Sequence, residues 1–195
     1  MNKYLFILLL FFQVSFAHAQ QLFATVTYVT SDGRNNPAHI FYDGKQKLTW
    51  VDFKASPDAS NIASALTSAG FGYNMGFSSS NGKSTLNISV FCDFDKNASW
   101  VKPEGRNDYI LKHEQHHFDI SYICTMRFIQ KLRAASFTTS NFKDQIRNIY
   151  IETAKEMAAM QDLYDTQTQH AILKDKQAQW GAKIDSILQT LNAPE

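Results

Sequence analysis

The sequence predicts an α+β domain: an N-terminal antiparallel β-sheet packed on a C-terminal bundle of two or three long helices, the first of which carries an H-E-x-x-H motif. Three observations predict it. Before Pro103, apolar residues alternate with period two between turn clusters. After Gly105 they recur every three or four residues over long, strongly periodic stretches. Between the two regimes stand Pro103 and Gly105, which end the β half.

The elements follow in order. Residues 1–19 read as a cleavable secretory signal. Lys3 is its basic start, Leu5 to Phe12 its apolar run and Ala17-His18-Ala19 its A-x-A cleavage site, with the mature chain starting at Gln20. The apolar run is too short to span a bilayer. Residues 20–195 are expected to form a single domain, periplasmic or secreted. Gln21 to Tyr28 alternates as a strand, and Ser31 to Pro37 is a turn cluster. Leu48 to Phe53 reads as a short strand and Asn61 to Ala69 as a short helix. Phe71 to Phe77 and Thr85 to Phe94 alternate again, and Asn81-Gly82 between them predicts a hairpin. Leu86, Ile88, Val90, Cys92 and Phe94 share one face.

Asn107 or Asp108 caps a helix running to about Ala135, and Ser140 or Asn141 caps a second. The second buries a stripe from Phe142 to Tyr164. A third, separate from the second or continuous with it, carries Leu173, Trp180, Ile184 and Leu191. Charge narrows the partners. The chain has 19 basic and 18 acidic residues, and loss of Lys3 brings the balance to zero, so neither nucleic acid nor an anionic membrane surface is indicated. Oligomeric state is not readable. Cys92 and Cys124 lie on inward faces, which suits either one disulfide or two buried thiols.

His113-Glu114-Gln115-His116-His117 carries the chemistry. Positions i and i+4 share a helix face, so His113 and His117 can grip one ion while Glu114 reaches a water beside it. Two imidazoles and a carboxylate base are the parts of zinc hydrolysis. His116 projects off that face and His39 reads as an ordinary surface or core residue. A third donor is needed. The long metzincin motif is excluded, because Ile120 and Ile123 stand where Gly and His are required. If the first two helices pack antiparallel about a turn near Thr138, residue 115 lies opposite residue 161. Glu152 then falls ~12–15 Å along the bundle, at 1.5 Å per residue. Tyr164, Asp165 and His170 return to the motif. His170 is the expected third Zn²⁺ ligand by donor type, Asp165 the alternative, and Tyr164 a candidate contact to an oxyanion or substrate.

These segments together resemble a bacterial family of secreted proteins, first catalogued as a domain of unknown function and described as candidate zinc-dependent proteases. The resemblance rests on Leu48 to Phe53, Ser99-Trp100-Val101, His113 to Asp119 as HEQxHFD, Tyr164 to His170, and Gln179-Trp180. It implies an α+β metallopeptidase-type domain. The family pattern has Glu where this chain has Gln167, and Gly where it has Ala171. If that Glu were a ligand, the site here would be weakened.

The expected function is a secreted or periplasmic zinc-dependent hydrolase, a metallopeptidase acting on a peptide or protein substrate with Glu114 as general base. An extended substrate would pair beside a strand such as Phe71–Phe77. The alternative is a non-catalytic, metal-stabilised binding module of the cell envelope with the same fold. A non-peptide hydrolase would share the same reaction core.

Overall fold

The computed structural model describes residues 21–81 and 83–191. The signal expected at residues 1–19 lies outside the described residues. The β half is built on one long strand. Strands β1 (Phe23–Tyr28), β2 (His39–Phe41), β3 (Ala65–Leu66), β4 (Ala69–Ser80), β5 (Lys83–Asp95) and β6 (Trp100–Val101) precede helices α1 (Asp108–Ala134), α2 (Phe142–Thr168) and α3 (Lys174–Leu191). The alternation expected in β5 is observed: Leu86, Ile88, Val90, Cys92 and Phe94 are each fully buried on one face.

β4 pairs antiparallel with β5 along its whole length, from Ala69↔Phe94 to Ser80↔Lys83. Asn81 turns that hairpin with φ +50°, the left-handed conformation that a two-residue turn demands and Asn tolerates. The sheet is mixed, not antiparallel as expected. β1 runs parallel to β5 (Phe23↔Thr85 to Tyr28↔Val90), while β2 runs antiparallel farther along the same edge (His39↔Asp95). The chain leaves that edge after β1, reverses through the turn cluster and returns, so one edge is shared end to end. Period-two alternation carries no information about strand direction.

Two local expectations are corrected. Trp50–Asp52 is a short 3-10 turn rather than a strand. The Asp52 carboxylate accepts from Thr49 N (2.9 Å) and Thr49 Oγ1 (2.7 Å), and so closes the chain on itself. Residues 61–69 are not helical. They hold β3, which pairs with β6, and the start of β4. Lys102 N donates to Ser64 O (2.8 Å). A Cβ on Gly105 would stand 2.7 Å from that carbonyl oxygen, so only glycine fits there without moving the segment.

α1 is the centre of the molecule. Asn107 caps it by accepting from Ile110 N (3.0 Å), as expected. Phe128, Ile129 and Leu132 pack with β1, β4, β5 and the start of α2. Phe118 and Tyr122 pack with the far end of β5 and the 40–53 segment. Ile120, Ile123 and Cys124 pack with Tyr164, Trp180 and Ile184 of α2 and α3. A helix clothed on every side explains why polar residues of the motif are buried. α2 and α3 are separate. Between them Gln169, His170 and Ala171 all have positive φ (48°, 51°, 71°), a run that L-residues adopt only at a cost. Cys92 and Cys124 are both buried free thiols. No helix among the described residues is long and apolar enough to cross a membrane.

Candidate metal centre

α1 and α2 each offer a pair of side chains one helical turn apart. His113 and His117 on α1 face Asp165 and Gln161 on α2, in antiparallel register. His113 Nε2 lies 3.0 Å from Asp165 Oδ1, His117 Nε2 lies 3.0 Å from the same oxygen, and the two nitrogens are 3.1 Å apart. Three ligand atoms on a zinc ion at 2.0–2.1 Å would be separated by about 3.3 Å in a tetrahedral set. The triangle therefore has nearly the size zinc requires, and the three residues form a group that can hold a metal ion.

The state of His117 sharpens this. Gln161 Nε2 donates to the His117 carbonyl (2.9 Å) and to Ser121 Oγ (3.2 Å), which turns its Oε1 toward His117 Nδ1. A carbonyl oxygen only accepts, so His117 carries a proton on Nδ1, and in the neutral ring the lone pair is at Nε2. That lone pair points at a carboxylate oxygen and another imidazole nitrogen. The convergence of acceptors is stable only around a cation or a proton.

Burial opposes charge on His117, but the hydrogen bond to Asp165 and the nearby Glu114 carboxylate outweigh it and raise its affinity for a proton. Burial likewise pushes the Asp165 carboxyl up, but its hydrogen bonds to His113 and His117 prevail and hold it well below the usual carboxylate range. Asp165 is therefore an ionised donor.

Glu114 is 3% exposed and lines a cleft of about 280 Å³ that also contains His113, His117 and Asp165. Its Oε2 has no hydrogen-bond partner among the described residues, and neither has His113 Nδ1. A buried carboxylate oxygen left bare is costly unless something else occupies the space beside it. The opposite wall of the cleft is the 61–69 segment, tied to α1 where Thr67 Oγ1 donates to Glu114 O (3.3 Å).

The structure brings together His113, Glu114 and His117 as the sequence placed them. The third donor in the cluster is Asp165, the sequence's alternative, and not His170. The Nδ1 of His170 is 3.6 Å from Asp165 Oδ2, on the outer side of that carboxylate, with 42% of its side chain exposed. Three successive left-handed residues, 169–171, end the helical path of α2 at His170, which five residues on from Asp165 would not share its helix face in any case.

Tyr164 does not offer its hydroxyl to the cleft. It is fully buried, its ring stacks on His113 (centroids 4.5 Å apart), and its hydroxyl meets His116 Nδ1 at 3.0 Å. Gln167 is remote from the donor cluster in bonding: its Oε1 accepts from Trp180 Nε1 (2.8 Å). Phe71–Phe77 does not line the cleft; the 61–69 segment does. Gln161 is the residue that sequence reasoning missed, although the antiparallel register had already set residue 161 opposite the motif.

Residues 93–171 match the model of a family described as "Bacterial protein of unknown function (DUF922)". The matched stretch runs from the end of β5 to the left-handed turn. It contains all three donors, Glu114 and Gln161. The description carries no activity. Comparison with curated proteins and with solved structures gives no match.

Proposed function

We propose that this chain is an exported zinc-dependent hydrolase, and within that class a peptidase. The observation that carries the reading is the unpartnered Glu114 carboxylate beside three converging donor atoms. His113, His117 and Asp165 would hold the ion, which supplies Lewis acidity that acidifies water and polarises a carbonyl. Two imidazoles and one carboxylate suit zinc by donor type. Gln161 fixes the His117 tautomer, and the Tyr164 ring backs His113, so both imidazoles are held before any ion arrives. Glu114 accepts a proton from the attacking water on its free Oε2 and passes it to the leaving amine nitrogen. The apolar run at residues 5–12 and the A-x-A site support export to the periplasm or beyond.

The test is Glu114→Gln. Zinc content should stay at wild-type level, because Glu114 is outside the donor set, while chelator-sensitive cleavage of a peptide library should fall by at least ~100-fold. Equal cleavage by the variant would place the base elsewhere. A zinc-loaded wild type that cleaves nothing in the library would favour the envelope binding module.

A further inference from the structure

The cleft has an uneven chemistry. No Lys or Arg is among the residues that line it. Its acids are Glu114 and Asp165, and together they balance the charge of one divalent ion. A loaded cleft therefore has no Lys or Arg to hold a carboxylate or phosphate, and no spare carboxylate for an amino terminus. One wall carries the small side chains of Ala63, Ser64, Ala65 and Thr67 beside the larger Leu66, so a ligand backbone can approach the wall closely at the small residues. This wall is pinned from behind by Lys102 N on Ser64 O, so it is preformed.

The two rims add a second observation. On the wall side Ile62 is 87% exposed and Leu66 37%. On the other side, directly after the cleft-lining His170 and Ala171, Ile172 is 72% exposed and Leu173 38%. Leu66 lines the cleft, Ile62 and Ile172 directly adjoin lining residues in the chain on its two sides, and Leu173 follows Ile172, a surface suited to an apolar partner. The buried, unpartnered Glu114 independently marks the same cleft as a place where a ligand sits.

We infer that the cleft takes an internal, uncharged, apolar stretch of polypeptide, so that the enzyme is endo-acting with aliphatic or aromatic side chains flanking the bond it addresses. This rests on the hydrolase reading of the cleft, but binding and turnover can be measured apart. The probe is a library of acetylated and amidated peptides with Leu, Ile, Val or Phe at the central positions, titrated into zinc-loaded Glu114→Gln protein.

Blocked apolar peptides should bind, and replacing their central residues with Glu should weaken binding by at least ~10-fold. The surface variants Ile62→Glu and Ile172→Glu, at exposed positions where folding is not at stake, should each weaken binding ~5- to 10-fold with unchanged zinc content and circular dichroism. Three results would overturn the inference: acidic peptides binding as well as apolar ones, binding that requires a free amino or carboxyl terminus, or no peptide binding at all. If Glu114→Gln protein binds blocked apolar peptides but wild type cleaves none of them, the hydrolase reading fails and the binding inference stands. If wild type cleaves only acidic or terminal substrates, the reverse holds.

Discussion

Two polar clusters lie on α1 within two turns of each other, and they are finished differently. On one side of the helix, Gln115 Oε1 accepts from Leu48 N, Gln115 Nε2 donates to Asp119 Oδ1, and the Tyr42 hydroxyl donates to that same oxygen, each at 2.9 Å. His116 Nδ1 is matched by Tyr164. Gln115, Asp119, Tyr42 and His116 each have a hydrogen-bond partner. On the other side, lone pairs converge on one another and Glu114 Oε2 has none. A closed network fastens the 42–48 segment to the helix; an open one can take an ion. One heptapeptide, His113 to Asp119, thus satisfies its polar groups on one face and leaves them open on the other.

That contrast can be broken by substitution, because the two sides should fail in different currencies. The largest effect belongs to the donors. Asp165→Ala should lower zinc affinity by more than ~1,000-fold, beyond the ~10–100-fold typical of outer residues, while His170→Ala should change it by less than ~10-fold. Competition with a chelating dye reads both. The opposite order would restore His170 as the third ligand.

The closed side should respond in stability instead. Asp119→Ala strands two buried donors and should cost about 2–3 kcal/mol in denaturant unfolding at unchanged zinc stoichiometry. Asp119→Asn keeps an acceptor and, since burial already raises the Asp119 carboxyl pKa, removes a charge that is costly to bury; it should cost under about 1 kcal/mol. Loss of zinc from folded Asp119→Ala protein would show that the two sides are not separable.

Gln161→Ala tests the bridge between them. Without its carbonyl, the His117 tautomer is no longer fixed, and zinc affinity should drop ~10–100-fold with the fold intact. The smallest effect is at the turn. Ala171 stands at φ +71°, so Ala171→Gly should raise stability by about 0.5–1 kcal/mol, the relief of left-handed strain less the added freedom of the unfolded chain. A fall in melting temperature would mean the turn is not strained.

Much of this was legible in the residues, and the failures have physical reasons. β5 was readable because its buried face is strictly alternate, and α1 because its cap and period agree. Leu48 to Phe53 misled because a single side chain, Asp52, bends a β-like composition into a turn. The parallel pairing of β1 depends on where the chain travels after residue 28, which no local pattern encodes. At the site, helix register points to the stretch of α2 that holds Asp165, whereas donor type alone points to His170. The chain's departure into three left-handed residues has no glycine to announce it.

The donors come from two helices, 48 and 52 residues apart along the chain. An ion there is a rivet between α1 and α2 at the end remote from their connecting loop. Near that loop, α2 is already anchored by Phe142, Ile146 and Thr153, whereas no residue is buried from there until Tyr164. Without an ion, loosening should therefore begin at that end. α3, whose Trp180 and Ile184 lean on Tyr164, should go with it, while the cluster that joins the sheet to the start of α2 stays closed. An ion bound there would, by mass action, hold the last third of the chain folded, whatever else the site does.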